Sequence, residues 1–412
     1  MFNRVEKHVF SSSFLPMKKK NRTFAFMKRA VLIVLLLVPA FWLQAAETEM
    51  RDTVLLAPSS QQLSVGWRPV DWLLQYLRNA NRPSEKPFDC KFLCGPYYTS
   101  TYSFGLAGGL SGEYSWDRSD PTLARSMATL FLNASVLGVL KLTLEGKNYM
   151  PHDAYRWDYK LAVENLPTDF WGIGYDAGLH GAKGHYRQLR LLFQPNWLFR
   201  VREYTYVGPT PWLQYSRAVH FTNPETVSGQ RHNIASAGAG VVVQYDSRDF
   251  ALNAYRGNFL KLEHLVFPGF ANHYAFQRTE LIIDSYRQMW RGSVLAMDLH
   301  AQFNYGDVPW TMLAKVGENG RMRGYYEGRY RNRNILEGQV ELRQHLFGRF
   351  GCVLWGGAAN VFRNFGHIYL SQTLPTFGTG LRWEFKKRVN LRFDVGLTRN
   401  KPGFEFKMNE AF

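Results

Sequence analysis

The chain has 412 residues, enough for two or three soluble domains, but 46% apolar and 16% aromatic residues with 35 glycines beside a mean hydropathy of −0.29 fit that class poorly. A helical membrane protein is excluded, since a spanning helix needs roughly 20 consecutive apolar residues and only Ala30 to Ala46 comes close. Disorder is excluded by the aromatic and branched content, leaving a large soluble β protein or a membrane β-barrel.

The first 46 residues read as a secretory signal peptide. Lys18, Lys19, Lys20, Arg22, Lys28 and Arg29 lead into the apolar run from Ala30 to Val38, which closes on the small residues Ala45 and Ala46. Met27 begins a compact signal by itself, a second candidate start. Residues 1–46 carry eight Lys or Arg against the single Glu6, so +7 of the net +17 leaves with them and the exported chain holds +10. Such a charge suits the phosphates of lipopolysaccharide and anionic lipid at a barrel rim, or simply solvated loops and lumen. Nucleic-acid binding is set aside, because export and strand-borne charge account for the basicity.

Residues 47–96 form a short periplasmic segment, too small for an ordinary domain. Val70, Trp72, Leu73, Leu74, Tyr76 and Leu77 suit a short amphipathic helix that ends at the breaker-rich run 81–87. The segment either lies beneath the barrel, plugs it, or serves as a linker. Cys90 and Cys94 are close enough in sequence for a small disulfide loop in the oxidising periplasm; inert thiols are the other reading, and no histidine pair accompanies them to make a zinc site.

From about residue 97 the apolar pattern has period two. Tyr155, Trp157, Tyr159, Leu161 and Val163 alternate with Arg156, Asp158, Lys160, Ala162 and Glu164; Leu295, Met297, Leu299, Ala301 and Phe303 alternate with Ala296, Asp298, His300, Gln302 and Asn304. The alternation often lasts 9 to 11 residues, the length a tilted strand needs to cross a bilayer with its apolar face on lipid and its polar face on a wet lumen. Turn signals divide residues 97–412 into about sixteen such stretches. The predicted fold is therefore all-β, a transmembrane antiparallel β-barrel of about 16 strands. Tyr114, Trp116, Trp197, Tyr206 and Trp212 are placed in interfacial girdles. The chain closes on Gly403 to Phe412, with Phe404, Phe406 and Met408 alternating towards a terminal Phe412.

One long connection, Tyr305 to Asn334, is rich in Gly and Arg and contains Met322-Arg323-Gly324-Tyr325 and Tyr326-Glu327-Gly328; Leu336 to Arg343 follows. These stretches, with Phe377 to Arg382, Asn390 to Gly396, Phe170 to Gly174 and Gly95 to Tyr98, closely resemble the BamA/TamA family of outer-membrane proteins (the bacterial surface antigen superfamily). The resemblance implies that Arg323, Gly324 and Tyr325 form the tip of an extracellular loop folded back into the lumen. It implies that Arg323 pairs with Glu341, and that Phe404, Phe406, Met408 and Phe412 form the C-terminal signal by which the barrel assembly machinery inserts the chain. Gly357 stands about where better-known members carry a second acid, so the lock is expected to rest on Glu341 or Glu337 alone. Fifty residues before the barrel leave no room for a POTRA module and linker, so the chain resembles a short, barrel-only member.

The resemblance points to a non-enzymatic barrel that assists insertion or translocation of outer-membrane proteins or lipids, with client outer-membrane proteins, outer-membrane lipid and lipopolysaccharide as partners and no cofactor. Its seam is expected between the first strand, about Thr101 to Tyr114, and Gly403 to Phe412. Gly105, Gly108, Gly109 and Gly112 either weaken packing there or mark curvature. A passive channel or structural barrel plugged by the loop is the alternative. A lipid-acting enzyme is a third class, but His300 and Asp298 lack a nucleophile beside them and no Gly-x-Ser-x-Gly elbow occurs, so both are assigned to lumenal lining.

Overall fold

The computed structural model describes residue 68 and residues 88–412 except positions 118, 121, 122, 228, 252, 272, 387, 400 and 409. The predicted signal peptide and the helix at Val70 to Leu77 lie outside the described residues. Sixteen antiparallel strands close on themselves in chain order. They are β1 (Phe88–Thr99), β2 (Ser103–Tyr114), β3 (Ser126–Ser135), β4 (Leu140–Tyr149), β5 (Tyr155–Phe170), β6 (Gly184–Arg202), β7 (Thr205–Val219), β8 (Asn233–Asp246), β9 (Gly257–Pro268), β10 (Ala275–Gln288) and β11 (Ser293–Gly306). After two short strands, β12 (Ala314–Lys315) and β13 (Arg331–Asn332), follow β14 (Asn334–Phe347), β15 (Phe350–Phe362), β16 (Leu374–Lys386), β17 (Val389–Thr398) and β18 (Gly403–Met408). The two short strands pair only with each other, inside the longest connection.

The burial pattern is that of a barrel turned inside out relative to a soluble protein. On β11 Asp298, His300, Gln302 and Asn304 are buried, while Leu299 on the opposite face is exposed. On β14 Glu337, Gln339, Glu341 and Arg343 are buried and Leu336 is exposed. Apolar side chains look to lipid and polar ones to the lumen, which antiparallel alternation permits on every strand without breaking the ladder.

Parity also decides where the aromatics go. Trp116 and Trp197 are exposed, as expected of a girdle, whereas Tyr206 and Trp212 are buried. The latter two share a face of β7 with Thr210, Gln214 and Ser216, so they point inward. Tyr206 donates to the Asp153 carboxylate there and lies beneath the Arg156 guanidinium, 3.7 Å from the ring centre.

The barrel begins at Phe88 rather than at residue 97. Phe88 to Thr99 pairs with β2 along its whole length, from Phe88 opposite Tyr114 to Thr99 opposite Ser103. Two corrections follow. The segment Thr101 to Tyr114 is the second strand and not the seam, so Gly105, Gly108, Gly109 and Gly112 lie one strand away from it. Cys90 and Cys94 sit on one face of β1, and both are free and exposed. Four residues of strand separate their Cα atoms by roughly 13 Å, about twice what a disulfide spans. Denatured without reductant, the chain should therefore react with a maleimide at all three cysteines, Cys90, Cys94 and Cys352; reaction at a single one would restore the bridge.

The two ends of the barrel differ. The longest connections, 171–183, 220–232 and 307–333, lie at one end; at the other, 203–204, 289–292 and 348–349 are tight turns, with 115–125 and 247–256 longer. Long loops and short turns at opposite ends mark the outer and periplasmic rims of outer-membrane barrels.

Candidate functional site

The connection from β11 to β14 does not stand away from the barrel. Arg321, Met322, Arg323, Tyr325 and Tyr330 are all buried, and the segment is tied to the wall at successive points. Arg321 places Nε and Nη2 on Asp298 of β11, at 2.9 Å to each carboxylate oxygen. This two-pronged pair has planar, charge-assisted geometry. Two residues on, Arg323 reaches Glu341 of β14 at 2.5 Å and Asp394 of β17 at 3.1 Å, with its guanidinium over the Trp355 ring of β15, 3.8 Å from the centre.

Arg323 belongs to a larger cluster in which positive and negative groups alternate. Glu341 also accepts from Arg343 at 2.7 Å, and Asp394 accepts from Arg382 at 2.6 Å and Arg392 at 3.1 Å. Arg382 further binds Glu410 at 2.9 Å, and Arg392 lies 3.4 Å from Glu405. Four arginines and Lys407, 3.0 Å from Glu405, thus face Glu341, Asp394, Glu405 and Glu410, an arrangement that offsets the large penalty for moving any one of these charges out of water.

The acids differ in part from the expected ones. Asp394 supplies the second carboxylate, from β17 and not from the neighbourhood of Gly357. Glu337 takes no part in the lock: it accepts from His300 Nδ1 at 2.8 Å, while His300 Nε2 lies 3.3 Å from Glu280. Asp298, assigned to mere lining, anchors Arg321. The parity of Asn390 to Gly396 already places Asp394 on the inner face with Arg392. What the strand pattern does not carry is which inner-face acid lies across the lumen from a given loop residue.

Backbone contact completes the tip. Gly324 has φ +96°, and a Cβ there would lie 2.7 Å from Thr398 Cγ2 and 2.9 Å from the Gly396 carbonyl oxygen. Gly403 opens β18, and a Cβ on it would come within 2.5 Å of Gly324 Cα. The backbone of Gly324 therefore packs directly against the last two strands. Thr376 donates to the Arg323 carbonyl at 2.7 Å, and Tyr325 donates its hydroxyl to the Pro375 carbonyl at 2.8 Å. Glu327 then ties the loop to the β1–β2 turn: its backbone N–H donates to Thr101 Oγ1 at 3.1 Å, and its carboxylate accepts from Tyr102. Burial raises the Glu327 carboxyl, but the Lys315 ammonium 2.7 Å away outweighs this and holds it below its ordinary range.

The returning leg rests on α1 (Tyr175–His180) and the end of β5. Arg329 donates to the Gly178 carbonyl at 2.8 Å, Gly174 N–H donates to the Arg331 carbonyl at 2.8 Å, and the Arg331 guanidinium lies over Phe170, 4.5 Å from its centre.

The seam lies between β1 and β18. Tyr98 stands opposite Phe406 and Thr99 opposite Glu405, and Ser100 Oγ donates to the Phe404 carbonyl and accepts its N–H. All three contacts are at the long-loop end. From Phe88 to Tyr97, β1 has no ladder partner on that side among the described residues. Beyond β18 the tail turns into the lumen. Glu410 binds Arg382 and Asn390, and the Phe412 carbonyl oxygen accepts from Arg343 at 3.0 Å. The Phe412 ring packs near Tyr286 of β10. Phe404, Phe406 and Met408 thus share one face of β18, but Phe412 does not continue it, because the strand ends at Met408.

No protein-family model matches the sequence, and no curated protein does. Solved structures do match. BamA from Haemophilus ducreyi lacking POTRA domains 1–3 has a TM-score of 0.54 at 11% identity, covering 79% of this chain and 70% of that one. CdiB from Escherichia coli has a TM-score of 0.52 at 12% identity, covering 82% and 70%. CdiB from Acinetobacter baumannii scores 0.51 at 10% identity, covering 79% and 60%. The likeness is one of fold. It places the chain among sixteen-stranded outer-membrane-type barrels, and the remaining functional argument rests on the residues above.

Proposed function

We propose that this chain is a BamA/TamA-type barrel of the bacterial outer membrane, which assists insertion or translocation of outer-membrane proteins or lipids at the seam between β1 and β18. The observation that carries this reading is the seam itself, joined at Tyr98–Phe406 and Thr99–Glu405 while β1 pairs with β2 over all its length. An unpaired strand edge is a template for another strand. Support also comes from the loop: its buried locks on β11, β14 and β17 fill the lumen beside the seam, so the barrel keeps its shape where the ladder is weakest. In this reading the protein is not an enzyme and needs no cofactor. Its partners are lipopolysaccharide, outer-membrane lipid and client chains, and it is itself inserted by the barrel assembly machinery, with Phe404, Phe406 and Met408 presented outward on β18.

A structural barrel is the second reading, favoured by the same loop plug, which also argues against a passive channel. Site-specific photocrosslinking in living cells from Tyr98 and Phe406 separates the two. Capture of nascent outer-membrane proteins or lipopolysaccharide is expected; crosslinks confined to the chain itself would leave only the structural barrel.

A further inference from the structure

A cavity of about 270 Å³ opens at the long-loop end, between α1, the returning leg of the long loop and the 363–373 connection. Its walls are fixed by hydrogen bonds to backbone carbonyls. Gly174 N–H donates to the Arg331 carbonyl. Asn334 Nδ2 donates to the Arg363 carbonyl at 2.9 Å, and Asn360 Nδ2 to the Tyr369 carbonyl at 2.9 Å. One side is aromatic: Phe362 is buried and Tyr369 is 48% exposed. The other carries Asp176, Asn332, Arg363 and Gln372. Among the described residues the side chains of Asp176, Arg363 and Gln372 make no hydrogen bond or ion pair, and Asn332 engages only through Oδ1, which accepts from the Arg333 N–H.

We infer that this cavity is a saccharide-binding site, sized for one or two sugar rings. Its volume falls just below the roughly 300–1,000 Å³ of pockets that hold drug-sized ligands. A carboxylate and a guanidinium sharing one cavity without pairing offset one another, so the cavity has no net charge of its own by which to select an anion or a cation. Two amides beside them add both donors and acceptors, which suits hydroxyls that each donate and accept. The exposed Tyr369 ring offers an apolar face for the C–H side of a sugar. An anion site would concentrate donors, and a hydrophobic site would not spend three unpartnered polar side chains. The ligand belongs either to lipopolysaccharide of the surrounding membrane or to soluble oligosaccharide, since both present the same ring chemistry.

The test is isothermal titration of the full chain in a detergent without sugar headgroups, such as a lauryl amine oxide. The probes are the core oligosaccharide freed from lipopolysaccharide by mild acid and the unrelated disaccharide isomaltose. Saturable binding of at least one is expected, weakened tenfold or more by Tyr369→Ala and by Gln372→Ala. Phe270→Ala should leave it unchanged, because Phe270 is 92% exposed at the same end without lining the cavity. Binding of the core alone would identify the membrane's own lipopolysaccharide as the source, and binding of both a general saccharide site. Binding of neither, or equal loss with Phe270→Ala, would overturn the inference. Both cavity variants alter only side chains without polar partners in the fold, so retained heat-modifiable mobility on electrophoresis separates lost binding from lost structure. The outcome is independent of whether the seam handles clients.

Discussion

Arg323→Ala should release the long loop from the lumen and destabilise the barrel by about 3 kcal/mol, the lower part of the range for breaking a buried ion pair. Two buried carboxylates lose a partner at once. Removing Arg323 takes one cationic partner each from Glu341 and Asp394, leaving Glu341 with Arg343 and Asp394 with Arg382 and Arg392, while Glu405 keeps Lys407 and Glu410 keeps Arg382. The surviving partners keep the loss below that of an isolated buried carboxylate. Arg323→Lys should recover little, because an ammonium cannot bridge two acids on strands β14 and β17 and also lie flat over Trp355. Trypsin reads the result directly. Arg321, Arg323 and Arg331 are buried in the folded chain, so wild type should resist cleavage between residues 315 and 333 while Arg323→Ala is cut there. A variant as resistant as wild type would show that the loop is held without the lock.

How much of this could be read from the chain follows from what alternation encodes. Period two over 9 to 11 residues reports which side chains share a face, and that suffices for a barrel of about sixteen strands and for the inward parity of Glu337, Gln339 and Glu341. It does not report which face is wet: Tyr206 and Trp212 look like girdle aromatics until their neighbours Thr210, Gln214 and Ser216 show that face to be lumenal. The first strand escaped because Gly95 and Pro96 interrupt it and a Cys pair suggested a local loop. Yet Phe88, Cys90, Phe92 and Cys94 already alternate with Asp89 and Lys91.

The site was legible in proportion to how local its geometry is. The Arg-Gly-Tyr tip and the first acid on the next strand are neighbours in sequence, and Arg323 does meet Glu341. Asp394 lies 71 residues from Arg323, and only closure of the barrel brings the two together. The same holds for the tail. An alternating run up to Phe412 reads as one strand, but the balance of Glu410 against Arg382 and Arg343 draws the end of the chain into the lumen.

Gly396→Val should strongly damage the seating of the long loop on the last strands. A Cβ at Gly396 would sit 2.6 Å from the Arg323 carbonyl oxygen and 2.9 Å from its carbonyl carbon. Both are backbone atoms with no rotamer to yield, so either the loop tip lifts or β17 bows away from it. Overpacking of this kind costs about 1–3 kcal/mol. Lifting the tip would in addition forfeit the Arg323 pairs and the hydrogen bond from Thr376, so a total of about 4–6 kcal/mol is expected by adding the buried-pair term. Gly356→Val is the matched control: it lies on the next-but-one strand with nothing within 4 Å of its Cβ position, and should stay within about 0.5 kcal/mol of wild type. The temperature at which the folded band disappears on semi-native electrophoresis compares the two. If Gly396→Val retains the wild-type temperature and trypsin resistance, the backbone contact between tip and β17 is not what seats the loop, and the charge cluster holds it alone.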